Sequence, residues 1–159
     1  MTMTDNKPAW RDDILACYPY LLERLRGIDA VYQVCEAQDF AAISGKDRRQ
    51  IPTDGAVYVL LDGFTPTDAN ARGGEQDIEI GFSVILTKQQ VTPNPAADSV
   101  GKTLTAISKS LQGFDPADAQ GRALTTTPFK QAKALAIQYE YGFAFFPLRF
   151  TTTVAVVQD

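Results

Sequence analysis

The pattern of large apolar side chains near the end of the sequence is the feature that most constrains the fold. These side chains occupy the odd positions over residues 135–145 and then mostly the even positions over residues 148–156. A period of two predicts half-buried β-strands. We therefore predict two long strands that complete a sheet. The first would close the sheet under the helices with its apolar residues Leu135, Ile137, Tyr139 and Tyr141.

The change from odd to even positions needs a structural cause. A one-residue shift of register turns every side chain of a strand to the other face. We expect either a bulge or bend at Phe146-Pro147 or a hairpin turn at Tyr141-Gly142. Residues 129–137 are rich in Ala and Lys and leave a helix as the alternative at that point. The β-branched and aromatic residues from Ile137 onward favour strands.

The rest of the chain alternates between two helical patterns and several strand patterns. Helices are predicted over residues 8–27, with a kink or restart at Pro19, and over residues 100–111, capped by Asp98 or Ser99. Residues 40–44 suggest one further helical turn capped by Asp39. Strands are predicted over residues 31–37, 56–62 and 76–87, and loops, the long ones mobile, over residues 45–54, 63–74 and 88–98.

This order of elements predicts one α+β domain over residues 1–159. Short connections between strands favour a mainly antiparallel sheet of about five strands, with the two amphipathic helices packed on one face. In the strand over residues 76–87, one row of side chains is apolar, which marks the face toward the core. That row consists of Ile78, Ile80, Phe82, Val84 and Leu86.

Composition excludes several classes of function. The chain has no histidine, which excludes Ser-His-Asp and Cys-His catalysis and histidine-ligated zinc. Its net charge of −4 argues against a general nucleic-acid binder. Cys17 and Cys35 are expected to be reduced core thiols of a soluble protein made in a cytoplasm. We expect no metal, no cofactor and no membrane partner.

Four groups of residues are candidates for a binding role. Gly101-Lys102-Thr103 precedes a helix, but Ala96 stands where a phosphate-binding loop needs glycine, so nucleotide binding is not expected. The basic loop with Lys46, Arg48 and Arg49 is either a solvated loop or a contact with a partner. An acidic series around the long loop is either a solvated rim or a binding surface; its members are Asp62, Asp68, Glu75, Asp77 and Glu79. The aromatic residues 139–146 favour core or interface packing over stacking of nucleic-acid bases.

Several strings in the chain resemble the tail terminator proteins of long-tailed bacteriophages. They are the first helix ending in Leu25-Arg26-Gly27, the strand AVYVLLDG, the long alternating strand ending in Leu86-Thr87, the second helix ending in Leu111-Gln112-Gly113-Phe114-Asp115-Pro116, and the closing Tyr-rich strand pair. The resemblance spans nearly the whole chain and carries no catalytic motif. It implies a non-enzymatic virion protein that assembles into a hexameric ring.

The resemblance also implies the partners of such a ring. It would cap the head-proximal end of the tail tube, end tail polymerisation and form the head-joining interface, with DNA passing through the lumen without specific binding. Its partners would be other copies of itself, the tail tube protein, the sheath protein if the tail is contractile, and a head-completion or stopper protein. Assembly would take place in the host bacterial cytoplasm.

From the charged loops and the closing strands we derive a candidate interface. It consists of Lys46, Arg48, Arg49, Arg72, Glu75, Asp77, Glu79, Phe146, Arg149, Phe150 and Val154. Two other functions stay open at this point, another head–tail joining protein such as a stopper or adaptor, and a small-ligand-binding α+β domain.

Overall fold

The computed structural model describes residues 7–46, 48–69, 74–89 and 100–158. Arg72 and the helix cap at Asp98 or Ser99 lie outside these ranges, as do residues 70–73 and 90–98 of the two predicted mobile loops. The elements in chain order are a 3₁₀ turn Ala9–Arg11, α1 (Tyr18–Arg26), β1 (Gln33–Cys35), α2 (Ala37–Ile43), β2 (Ala56–Ala69), β3 (Glu75–Gln89), α3 (Val100–Leu111), β4 (Lys130–Ala132), β5 (Gln138–Glu140) and β6 (Phe143–Val157).

The strands form one mixed sheet in the order β1-β2-β3-β6-β4, and β5 also pairs with β6. β1 pairs parallel to β2, whereas the other pairs are antiparallel. The predicted α+β class with a mainly antiparallel sheet is confirmed. Within the described residues the sheet has six strands and the helices number three, against about five strands and two helices expected. Three long strands, β2, β3 and β6, form the body of the sheet.

One face of the sheet carries the main core, and we call it the helix face. The predicted apolar row of β3 packs there with Phe150 and Val154 of β6. The buried residues of α1 and α3, among them Leu21, Leu25 and Ile107, complete the cluster. Fully burying a side chain of this size contributes about 1.5–3 kcal/mol. This face therefore supplies most of the apolar burial in the described chain.

The opposite face, which we call the open face, is covered only in part. At one end α2 packs Phe40 and Ile43 against Tyr58, Ile85 and Phe145. The residues of β3 that face this way become polar toward the other end of the sheet. The two predicted amphipathic helices, α1 and α3, therefore pack on one face as expected, and the additional helix α2 lies on the other.

The N-terminal helical pattern is divided in two. The 3₁₀ turn is followed by turns, and α1 starts only at Tyr18 with Pro19 in its first turn. Proline fits there because the first N–H groups of a helix have no partner within it. The predicted restart at Pro19 is confirmed, and the helix ends at Gly27 as expected. In α2 the N-cap is Glu36, and Asp39 completes a capping box from the third helical position.

β2 continues well beyond the predicted end at Asp62. The strand continues past Gly63 through a register shift between Leu61 and Gly63. Gly63 has a φ of 146°, a backbone conformation that glycine adopts readily. Pro66 is tolerated because β1 pairs only with the start of β2, so this part of β2 is a sheet edge. The loop predicted from residue 63 is therefore strand as far as Ala69.

The change of parity in the C-terminal pattern lies within β6, beyond the hairpin turn that forms at Tyr141 and Gly142. Both residues have positive φ, 51° and 79°, as a two-residue hairpin turn requires. From Phe143 to Val157, β6 pairs with β3 residue by residue, without a register shift. The alternative of a bulge or bend at Phe146-Pro147 is therefore wrong. The buried side of β6 changes along its length instead, because Phe145 packs on the open face and Phe150 on the helix face.

The segment before this turn differs from the prediction. β4 and β5 are short strands, and residues 133–137 between them have no regular structure, so neither one long strand nor a helix forms there. Four of its apolar residues have between 50% and 76% of their surface exposed, so the prediction that they close the core is wrong. We call these residues the exposed strip: Leu135, Ile137, Tyr139 and Tyr141. The helix face is already covered by α1 and α3, which leaves the strip without a core to join.

Candidate assembly surface

A polar link joins three strands at the centre of the open face. Ser83 of β3 and Arg149 of β6 are direct neighbours across the sheet. The Ser83 hydroxyl donates to the Asp62 carboxylate of β2, with oxygen–oxygen distances of 2.8 and 2.9 Å. The Nε–H of Arg149 donates to the same carboxylate at 3.1 Å. Arg149, a predicted interface residue, therefore has a partner within its own chain. A partly exposed ion pair of this kind contributes about 0.2–1 kcal/mol.

Gly81 makes room for this link. The guanidinium of Arg149 lies directly against the Gly81 backbone, so a β-carbon at position 81 would overlap it. Glycine inside a strand often marks such a close approach. The sequence therefore places a glycine in the middle of β3 where an arginine crosses the sheet.

An apolar groove lies beside this link, between α2 and the segment that contains the exposed strip. It has a volume of about 340 Å³. Its apolar lining consists of Phe40, Leu60, Ile85, Leu135, Phe145 and Pro147. Asp62 and Ser83 stand at its polar end, next to Arg149 and Lys133. Sequence reasoning missed this groove, because it forms only when residues 133–137 leave the sheet.

A cationic cluster lies at the end of the sheet nearest to α2. We call Lys46, Arg48 and Arg49 the basic corner. Arg48 stacks its guanidinium on the ring of Tyr141, 3.7 Å from the ring centroid. A contact of this type contributes about 0.5–1 kcal/mol at an exposed site. It places the basic corner directly beside the exposed strip, two features that are far apart in the sequence. Lys46 and Arg49 are exposed.

A second charged cluster lies at the opposite end of the open face. Glu75, Asp77 and Glu79 are alternate residues of β3 and therefore point to the same side. We call them the acidic row. The neighbours of Glu79 across the sheet are Thr65 and Thr153, and the neighbour of Asp77 on β6 is Ala155. No cation of an adjacent strand therefore faces the middle of the row.

Two predicted contact residues of β6 have a different role. Phe150 and Val154 are fully buried in the helix-face core. The prediction that they contact a partner is therefore wrong, because their even positions turn them toward α1 and α3. Phe146 is partly buried against the same core. Alternation identified the strand correctly but did not indicate which of its faces points outward.

Several titratable groups of the described residues show the effect of burial on their pKa. Burial is the main cause that raises the pKa of the Cys17 thiol to about 12, and it also raises the pKa of Cys35. Burial, with a hydrogen bond to Glu36, raises the pKa of Tyr18 to about 12. The described residues contain no group of three or more Cys, Asp or Glu side chains that could hold a metal ion. Among the described helices, none is long and apolar enough to cross a membrane.

Fold and surface together define an α+β protein whose second sheet face is charged, grooved and partly apolar. The family model for the phage tail terminator protein matches residues 12–158. The chain therefore belongs to the phage tail terminator protein family, and the resemblance noted in the sequence is confirmed. The family is structural, and its members are components of the phage tail and hence of the virion. A search of curated proteins gave no match.

Proposed function

We propose that this chain caps the head-proximal end of the phage tail tube as a ring of six copies. The ring ends polymerisation of the tube and presents the face that joins the head. The observation that carries this proposal is the family match, which extends over every strand and every α-helix of the sheet domain described above. The proposed partners are other copies of the chain, the tube protein, the sheath protein in a contractile tail, and a head-completion or stopper protein.

The open face supports this function because it offers different surfaces at its two ends. A closed ring of identical subunits needs a heterologous contact, in which one patch of a subunit meets a different patch of the next. The open face carries cations at one end, with the exposed ring of Tyr141 beside them, and carboxylates at the other. We propose that both ends, together with Phe146 and Arg149, contribute to contacts in the assembled tail.

The net charge of −4 fits a conduit through which DNA passes. Carboxylates on a lumen wall repel phosphates, so the wall does not retain the DNA. In this proposal the ring acts by steric and interface complementarity, and no bond of the DNA or of a partner is made or broken.

Deletion of the gene in the producing phage tests this function. We expect tails of uncontrolled length that fail to join heads, and we expect the wild-type gene supplied in trans to restore normal length. Electron microscopy of the lysate measures both. Tails of normal length without the gene would contradict capping, and tails of normal length that lack heads would indicate a head-joining protein other than a terminator.

We also expect the isolated chain to be a monomer or to associate weakly, because a ring formed in advance would block assembly. Sedimentation velocity at low micromolar concentration measures this. A stable hexamer under those conditions would contradict the expectation, although it would leave capping itself in place.

A further inference from the structure

We infer that neighbouring copies of this chain contact each other through the basic corner of one copy and the acidic row of the next. This inference rests on the proposed ring and specifies which surfaces meet in it. It concerns a contact between two copies, and it assigns partners to charges that have none within the described part of the chain.

The distance between the two clusters shows that one chain cannot bring them together. The turn with Tyr141, on which Arg48 stacks, immediately precedes Phe143, and Phe143 pairs with Gln89 at one end of β3. Asp77 lies near the other end of the same strand. At about 3.3 Å per residue, the clusters are separated by roughly 40 Å. A rigid sheet keeps them apart, so their charges can meet only between two molecules.

The carboxylates of the acidic row have no cationic partner among the described residues. Successive carboxylates of the row are about 7 Å apart along one face of β3, and like charges at that spacing repel. None of the three makes an ion pair with another residue in the described part of the chain. Its neighbours across the sheet, Thr65, Thr153 and Ala155, are neutral. A cationic surface laid over the row would relieve this repulsion.

The basic corner has the complementary charge and an apolar surface beside it. The six residues 45–50 contain three cations and the single carboxylate Asp47. Lys46 and Arg49 form no ion pair with any described residue and are exposed. The exposed ring of Tyr141 lies beside these cations, and aromatic residues are enriched in protein interfaces. Charge complementarity would thus orient the contact, and this ring would supply apolar burial.

In the proposed ring this contact is heterologous, because each copy offers its basic corner to one neighbour and its acidic row to the other. Each copy keeps one free cluster after binding a neighbour, so addition continues until the ring closes. A two-fold dimer would instead satisfy both clusters at once and stop at two copies. The size of the cross-linked product therefore separates these arrangements.

Cysteine cross-linking in assembled tails provides the test. The two native thiols are buried, so the double variant Lys46→Cys/Asp77→Cys adds the only accessible thiols of the described chain. We expect a short bis-maleimide to give a ladder of covalent oligomers above the dimer, whereas each single variant stays monomeric. A product that stops at the dimer, or a double variant that stays monomeric in tails of normal length, would overturn the inference. The second result would leave the capping function intact.

Charge reversal provides a second, independent test of the contact, with matched control variants. Asp77→Lys/Glu79→Lys and Lys46→Glu/Arg49→Glu should each lower the number of length-controlled tails about tenfold or more, because like charges would then face each other. All four substitutions in one chain should restore the number. The control Lys102→Glu/Lys109→Glu changes exposed residues of α3 and should have no effect. If the chain with all four substitutions is folded, as judged by circular dichroism, but does not restore the number of length-controlled tails, the inference is overturned.

Discussion

The two faces of the sheet use the same strands in different ways. On the helix face, β3 and β6 present side chains such as Phe82 and Phe150 that are completely buried under α1 and α3. On the open face, the same strands present Ser83, Arg149 and a row of carboxylates. The difference indicates that the helix face supplies stability and that the open face is available for assembly. Substitutions on the two faces should therefore separate stability from assembly.

The largest change in stability is expected from a substitution in the helix-face core. Phe150→Ala removes a fully buried ring and should lower the free energy of unfolding by about 3–5 kcal/mol. Urea denaturation followed by circular dichroism measures this change. Tyr139→Ala, which removes an exposed ring, is the matched control and should change stability by less than about 0.5 kcal/mol. Similar losses for the two variants would contradict the division between the faces.

These two aromatic residues also show what the sequence could and could not predict. Both lie in regions of clear alternation, and both were expected to turn the wrong way, Tyr139 inward and Phe150 outward. Alternation identifies a strand from local residues alone. Which face becomes buried depends on where α1, α2 and α3 pack, and that is decided by contacts between residues distant in the sequence.

The difference between local patterns and contacts between distant residues also explains which other elements the sequence predicted. α3 and the apolar row of β3 were predicted closely, because their periods are long and uninterrupted. The extension of β2 was missed because Gly63 and Pro66 are local loop signals, and only the bulge and the free sheet edge make them compatible with a strand. The charged clusters were visible in the sequence. The stacking of Arg48 on Tyr141 and the groove beside the exposed strip were not, since both depend on tertiary contacts.

The stability of the fold should depend moderately on pH because of one buried group on the helix face, the Cys17 thiol. The buried Cys17 thiol has a raised pKa in the folded chain, so folding disfavours its ionisation. Its contribution to stability is fully present below the ordinary thiol pKa of about 8.5 and is lost as pH rises toward about 12. Denaturation midpoints measured across this alkaline range should fall more steeply for the wild type than for Cys17→Ala. Equal slopes would show that the thiol is not buried as described.

A small loss of stability is expected from substitutions at the centre of the open face. Gly81→Ala should displace the Arg149 guanidinium and break its hydrogen bond to Asp62, with a loss of about 1 kcal/mol or less. The matched variant Arg149→Gln removes the same ion pair without adding a β-carbon. If the account is correct, combining the two substitutions should cost less than the sum of their separate effects. Full additivity would show that Gly81 and Arg149 act independently.

Hydrogen exchange of the chain, free and assembled on tails, tests the division between the faces most directly. We predict that assembly slows amide exchange in residues 44–50, 75–79 and 133–142, which carry the basic corner, the acidic row and the exposed strip. Exchange in α1 and α3 should stay the same, because these helices pack on the core and not on a partner. New protection confined to α1 and α3, with the open face unchanged, would contradict the account.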